Sequence, residues 1–384
     1  MSAILRTAAT GVLRRHWVLT NRGRWESGWL VEPAVTNAVL RSEDLGTTWS
    51  TSNASVTANA AVAPDGATTA DVVVETGGTA SHGVTQSYTC TSGATQAVSV
   101  FAKFAGGRQW LALQVSDAGF ANSARAWFDV RNGVVGASGV VGTGTYTAHY
   151  MTAVGDGWWR CTLIGRPAPA VTTAVAAVFL APSDNVISYA SAGLGLLAWG
   201  AQAENAATAS TSYIPTVGST VTRSADSLTR TVVGTPAERP QRLTLYARAI
   251  ATAVGEGYFA ELKGGVDVMG IGRGIGLGGA AGAYTSRDDG SSVTASTFPL
   301  TGIVAGDVYE VAATYTPTLL TVRGARNHGV EVSGTSAVSL AFDATWASAA
   351  SLRALASPRD VVTHVAVLAG TRTLAECRAA TGAA

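Results

Sequence analysis

Along this chain of 384 residues, short stretches alternate apolar and polar residues at every second position and stop at clusters of Gly, Asn, Asp and Pro. A period of two sends successive side chains to opposite faces of a strand, so the pattern commits the chain to half-buried sheets. Val98, Val100, Ala102 and Phe104 share one face, while Ser99, Phe101 and Lys103 share the other. Leu111, Leu113 and Val115 repeat this. Ala124, Ala126, Phe128 and Val130 read as inward, leaving Arg125, Trp127 and Asp129 outward. Asn132-Gly133 then favours the positive φ angles of a tight hairpin turn, with Val134 and Val135 opening the return strand. Pro64-Asp65-Gly66 is a second turn signal. A polar, arginine-bearing stretch from about Ala225 to Glu238-Arg239-Pro240 reads as a linker. Beyond it, Leu243, Leu245, Ala247 and Ala249 alternate again, and Asp307 to Tyr315 and Leu319 to Arg323 form a hairpin around Thr316-Pro317-Thr318. The one helix signal is Thr373-Leu374-Ala375-Glu376, a capping box closed by Gly382. The expected fold is all-β: an N-terminal arm over residues 1–36, one β-sandwich domain over 37–228 and another over 229–384, with a short C-terminal helix.

Composition excludes several functions. With 47% hydrophobic residues, 13% charged residues and a formal net charge of +1, the chain is not a disordered tail. The same neutrality argues against duplex DNA or an anionic membrane surface as partner. Val171 to Leu180, the longest apolar region, falls short of the ~20 residues that cross a bilayer, so no membrane insertion is expected. Cys90, Cys161 and Cys377 have no ligand spacing, and His16, His82, His149, His328 and His364 are scattered. No metal and no cofactor follow from these, although Asp117, Asp156 or Asp184 could hold a structural calcium. Gly274, Gly276 and Gly279 match GxGxxG formally, but no helix follows, and the Gly270–Gly279 run reads as a flat strand. Asp288-Asp289 reads as a turn. Arg6, Arg14 and Arg15 interrupt the N-terminal apolar stretch, which makes it a poor signal peptide.

Two aromatic surfaces are candidate binding sites. Indole packs on the C–H face of a sugar while charged groups meet its hydroxyls, so Trp127 with Arg125 and Asp129 has suitable chemistry. A subunit interface and plain packing remain equally open for this trio. Trp158 and Trp159 pose the same choice: on a strand one joins the core and the other sides with Arg160. Arg14, Arg15, Arg22 and Arg24 interleave with Trp17, Trp25 and Trp29, a composition that suits docking to another protein better than nucleic-acid contact.

Six short motifs run in order from residue 30 to 228. They are Glu32-Pro33-Ala34 with Asn37-Ala38-Val39-Leu40-Arg41-Ser42-Glu43; Ala63-Pro64-Asp65-Gly66 with Thr69-Ala70-Asp71; Gly157-Trp158-Trp159-Arg160-Cys161; Trp199-Gly200-Ala201-Gln202-Ala203-Glu204; Ser212-Tyr213-Ile214-Pro215-Thr216; and Thr222-Arg223-Ser224-Ala225-Asp226. Together they resemble the β-sandwich module of phage tail-fibre and head-spike proteins, including the head spike fibres of gene transfer agents. The resemblance implies a jelly-roll, carbohydrate-binding-like domain on the surface of a virion or virion-like particle, made in the cytoplasm of a bacterial host. It implies a homo-oligomer that contacts other spike, capsid or tail proteins and attaches to host-cell surface polysaccharide. It supplies no catalytic residues. Residues 235 to 384 more loosely resemble a concanavalin or laminin-G type sandwich. A purely structural decoration protein is the runner-up reading. A polysaccharide depolymerase is the third, and the scattered carboxylates speak against any enzyme.

Overall fold

The computed structural model describes residues 14–19, 25–30, 32–225, 228–231, 243–251, 257–264, 267–273, 280–287, 295–316, 318–337, 351–354, 361–369 and 372–381. Antiparallel strands dominate these residues, as the alternation requires, and the chain divides into two compact units. One is Val35–Ser224. The other joins Gly11–Ala34 to Ala225–Ala384.

The first unit is a β-sandwich. Its six-stranded sheet runs Val134–Val141, Ser123–Asp129, Trp110–Asp117, Thr173–Ala181, His82–Thr89, Ser50–Ser52. Its eight-stranded sheet runs Thr145–Gly155, Trp158–Arg166, Gln96–Lys103, Gly195–Asn205, Val35–Asn37, Val221–Arg223, with Ala70–Glu75 branching from Gly195–Asn205 and Ala54–Ala61 pairing with Ala70–Glu75. Register places Leu111 between Phe128 and Leu180, and Leu113 between Ala126 and Val178. These rows face Val98, Val100, Ala102, Cys161, Leu163 and Ala203 of the other sheet in one core. Each buried Val or Leu there contributes about 1.5–3 kcal/mol.

Both sheets are also covered on their outer faces. Thr173–Ala181 shows why: it coincides with most of the longest apolar run of the sequence, and a strand buried on both faces accommodates such a run. Outside the six-stranded sheet, Ala112, Trp127, Ala177, Phe179 and Ala181 form a second cluster with Ile187. Outside the eight-stranded sheet, Phe101, Trp158, Leu197, Trp199 and Tyr213 form a third.

Two turns follow their sequence signals by different routes. At Pro64-Asp65-Gly66, Gly66 takes φ +90° and donates its N–H to Ala63 O at 2.9 Å. At Asn132-Gly133 only the glycine is left-handed, at +69°, and the connection spans residues 130–133 instead of two residues. Asp129 explains the wider loop. Its Oδ1 accepts the N–H groups of Arg131 and Asn132, both at 3.0 Å, and so replaces the backbone bonds of a two-residue turn.

In the second unit, a seven-stranded sheet runs Arg14–Leu19, Trp25–Leu30, Val361–Ala369, Leu243–Ile250, Val308–Tyr315, Leu319–Arg326, Val332–Ala337. A six-stranded sheet runs Leu228–Thr231, Ser351–Ala354, Gly257–Gly264, Asp267–Arg273, Ala281–Arg287, Ala295–Leu300. Leu245, Ala247, Tyr309, Val311, Met269 and Ile271 belong to their common core. The capping box forms as read: Thr373 N–H donates to Glu376 Oε2 at 2.8 Å, and Glu376 N–H to Thr373 Oγ1 at 3.2 Å. It starts the Leu374–Thr381 helix, which buries Leu374 and Cys377 against Tyr246, Ala312 and Ala325. Asp267–Arg273 makes the start of the glycine run a strand; residues 274–279, Asp288-Asp289, Gly382 and most of the linker lie outside the described residues.

Candidate functional site

The sequence nominates Trp127, Arg125 and Asp129 as one outward row, and the structure keeps them on one face. That face is not open. Trp127 is 3% exposed, and its Nε1 donates to Val186 O at 3.1 Å. The segment carrying Val186 and Ile187 lies over the ring, so no sugar can stack there. Asp129 is buried as well and serves the turn, accepting Asn132 Nδ2 at 2.8 Å in addition to the two backbone donors. Trp158, also 3% exposed, is the core member of its pair, whereas Trp159 is half-buried. Arg160 donates from Nη1 to Thr211 O at 2.6 Å and from Nη2 to Ser99 Oγ at 2.9 Å, and its guanidinium lies 5.3 Å from the Phe101 ring centroid. Four of the five nominated glycan-binding residues therefore hold the fold. The glycan platform at Trp127 and Trp158 is corrected on this ground: stacking needs an exposed ring face, and the second layer on each sheet removes it. Arg125 alone keeps an unengaged charge.

Of the docking residues, Arg14, Arg15 and Trp17 lie on Arg14–Leu19, and Trp25 and Trp29 on Trp25–Leu30. The two strands form a hairpin in which Arg15 stands opposite Trp29. Trp29 and Leu30 pair with Val362 and Val361, which makes the hairpin an edge of the second unit's sheet and not a separate arm.

The motifs that carry the family resemblance converge in space. Asn37 is fully buried, donating to Ala201 O and Ile214 O at 3.1 and 2.8 Å while its Oδ1 accepts Ala203 N–H at 3.1 Å. Ser42 Oγ lies 2.6 Å from Tyr213 OH and accepts Thr216 N–H at 2.8 Å. Gln202 Oε1 accepts Ile214 N–H at 2.7 Å, and Trp199 Nε1 donates to Thr69 Oγ1 at 2.9 Å. Asp71 accepts Leu45 N–H and Asn59 N–H at 2.7 and 2.9 Å; burial pushes its carboxyl up against the pull of these donors. Residues far apart in sequence thus make one polar latch, and satisfied buried networks of this kind fix a single arrangement.

A cleft of about 460 Å³ opens above the latch, lined by Arg41, Glu43, Asp44, Asn59, Thr69, Pro215, Thr216 and Val217. Arg41 and Asn59 hold left-handed backbone, at φ +48° and +54°. Such conformations persist only where the surroundings impose them. Here Arg41 N–H donates to Val217 O at 2.8 Å, and Asn59 is held by Asp71. The Arg41 guanidinium reaches Asp44 at 3.5 Å, and Tyr213 OH donates to Glu43 Oε1 at 3.2 Å. The lining therefore presents a cation, two carboxylates, an amide and hydroxyls, with Pro215 and the 69% exposed Val217 as an apolar rim. That mixture can exchange hydrogen bonds with several hydroxyls while a C–H face rests on the rim. Sequence reading missed the cleft because it took the motifs singly; the signal was that three of them carry exposed polar residues beside buried ones.

A second polar centre surrounds Glu75. Arg108 donates to it twice, both at 2.8 Å, Tyr189 OH donates at 2.5 Å, and Ala192 N–H donates at 2.7 Å. Burial opposes ionisation of Glu75, but these donors hold its carboxyl down at about 2. With every oxygen engaged, the centre ties the 189–194 segment to the sheet. Among the described residues, no group of three or more His, Cys, Asp or Glu side chains could hold a metal ion.

No protein-family model matches the chain, and no curated protein matches it. Among solved structures it is similar to the LG1-3 region of the laminin alpha2 chain, at 11% identity and a TM-score of 0.28, over 74% of this chain and 64% of that one. It is also similar to domains LG4-5 of the mouse laminin alpha1 chain, at 12% identity and a TM-score of 0.24, over 86% of this chain and 92% of that one. The chain thus spans 64% of the length of the first. Likeness at these scores assigns neither family nor ligand, and it does not bear on the phage-fibre resemblance.

Proposed function

We propose that the chain is a non-catalytic adhesion module of a spike or fibre on a virion or virion-like particle, and that its first sandwich holds a glycan of host-cell surface polysaccharide in the Arg41–Val217 cleft. The observation that carries this reading is the shared origin of latch and cleft. Asn37–Glu43, Thr69–Asp71 and Ser212–Thr216 supply the buried hydrogen bonds, and the same segments supply Arg41, Glu43, Thr69, Pro215 and Thr216 to the lining. A site whose walls are fixed by a satisfied network loses little freedom on binding.

A panel of neutral bacterial polysaccharides tests it. The intact protein is expected to retain at least one, and Arg41→Gly with Glu43→Gln is expected to weaken retention about tenfold or more, as loss of charge-assisted hydrogen bonds does. Glycine suits the left-handed backbone of Arg41, so the melting temperature should hold. Retention of no neutral polysaccharide, or equal retention by the double variant, overturns the reading. Release of reducing ends would favour a depolymerase instead. The burial of Trp127 and Trp158 supports the alternative of a purely structural decoration protein. Particles lacking the chain discriminate: unchanged adsorption to host cells favours decoration, and lost adsorption with intact particles favours adhesion.

A further inference from the structure

On the outer face of the six-stranded sheet, polar donors collect without partners. Gln114 and Arg125 are cross-strand neighbours, and Ser123 lies two residues before Arg125 on the same face. Gln114 Nε2, Ser123 Oγ and Arg125 Nε are all shut off from solvent and make no hydrogen bond. Gln114 is 1% exposed and Ser123 fully buried. Buried polar groups are almost always paired, so three adjacent orphans mark a place that expects a partner.

The charge there is equally unmatched. Among the described residues Arg125 has no acidic partner, and burial alone pulls its guanidinium down from its ordinary value. The acids of the adjoining turns are engaged elsewhere: Asp117 accepts Ala121 N–H at 2.9 Å and Asn122 Nδ2 at 2.6 Å, and Asp129 holds the 130–133 turn. On its other side Arg125 pairs with Gly139, where a Cβ would meet nothing within 4 Å. The space above Gly139, next to Arg125 across the strand pair, is therefore open. From the adjoining turn, Phe120 is 37% exposed with its ring 6.4 Å from that of Phe179. Asn122 Oδ1 accepts Thr143 N–H at 2.8 Å and ties this turn to the next one.

We propose that Arg125, Gln114 and Ser123 form a carboxylate-binding site separate from the cleft, and that its ligand is the carboxylate of an acidic sugar, a uronate. Three kinds of donor on side chains that carry no negative charge suit a carboxylate, and the Arg fork matches its two oxygens. The open space at Gly139 leaves room for a sugar ring next to Arg125, and the adjoining turn offers the exposed ring of Phe120. The site itself stands on the orphaned donors; the choice of a sugar over an acidic peptide rests on the glycan reading of the cleft.

The intact protein is titrated with oligogalacturonate, with a neutral galactan oligomer of equal length, and with a short polyglutamate peptide. Oligogalacturonate is expected to bind, more weakly as salt rises, and the neutral oligomer not to bind at this site. Arg125→Ala should weaken uronate binding about tenfold to a hundredfold. Gly139→Leu, whose Cβ meets nothing within 4 Å and whose side chain would occupy the open space next to Arg125, should do the same at an unchanged melting temperature. Failure of oligogalacturonate to bind, indifference of its binding to both variants, or tighter Arg125-dependent binding of polyglutamate overturns the proposal. Neutral-polysaccharide retention is the separate readout for the cleft: its loss alone sinks the cleft reading, and Arg125→Ala should leave it intact.

Discussion

At the residue scale, Glu75 shows how buried charge makes stability depend on pH. Its carboxyl sits at about 2 when folded against an ordinary value of 4.5. In acid the unfolded chain therefore takes up this proton first. The stability Glu75 contributes is complete above about 4.5 and is lost as pH falls from there towards 2. The shift is worth about 3 kcal/mol, and urea titrations between pH 6 and 2 should show a steepening loss that Glu75→Gln removes. That variant should itself cost about 3 kcal/mol at neutral pH, because it leaves Arg108 unpaired. Such centres were not legible in the sequence, since Glu75, Arg108 and Tyr189 share no local pattern. The row Arg125, Trp127, Asp129 was legible as a row, because period two fixes which residues share a face. What covers the row was not, because Val186 and Ile187 arrive from a segment without periodicity.

At the scale of single elements, alternation gave most strands and turn chemistry gave their ends. The 130–133 loop departs from a two-residue turn because a side chain, Asp129, took over the backbone's bonds. The neighbouring edge strand, Val134–Val141, exposes Val134, Val135 and Val140 and carries no charge, a composition prone to pair with other chains. It is guarded from outside. A bulge interrupts its register opposite Trp127, Asp184 accepts Ala137 N–H at 2.8 Å, and His149 Nε2 lies 2.9 Å from Gly136 O. Asp184→Ala should uncover that edge, and light scattering at raised concentration should report faster association than in the parent. An unchanged association rate would show that the bulge and His149 suffice to guard the edge. In the second unit the capping box makes a smaller claim: Thr373→Ala should cost about 1 kcal/mol in that unit's transition.

At the scale of the whole chain, each unit has a core of its own, Leu111 and its neighbours in one, Leu245 and its neighbours in the other. Calorimetry should resolve two transitions. Deleting residues 11–34 strips the Arg14–Leu19 and Trp25–Leu30 strands from the second unit, so the transition of that unit should fall while the other holds. The sequence marked the separation of the units through the change in composition near Ala225, yet it could not show that the N-terminal hairpin belongs to the distant half. Strand pairing across that separation leaves no local trace. The cleft was hidden for a related reason, since its walls come from three segments that only the fold brings together. The proposed function places the glycan in this cleft, whose walls the latch preorganises. Retention of neutral polysaccharide by the intact protein, compared with Arg41→Gly/Glu43→Gln at equal melting temperature, tests it most directly. A loss of about tenfold or more is the predicted result, and equal retention by the two proteins would contradict it.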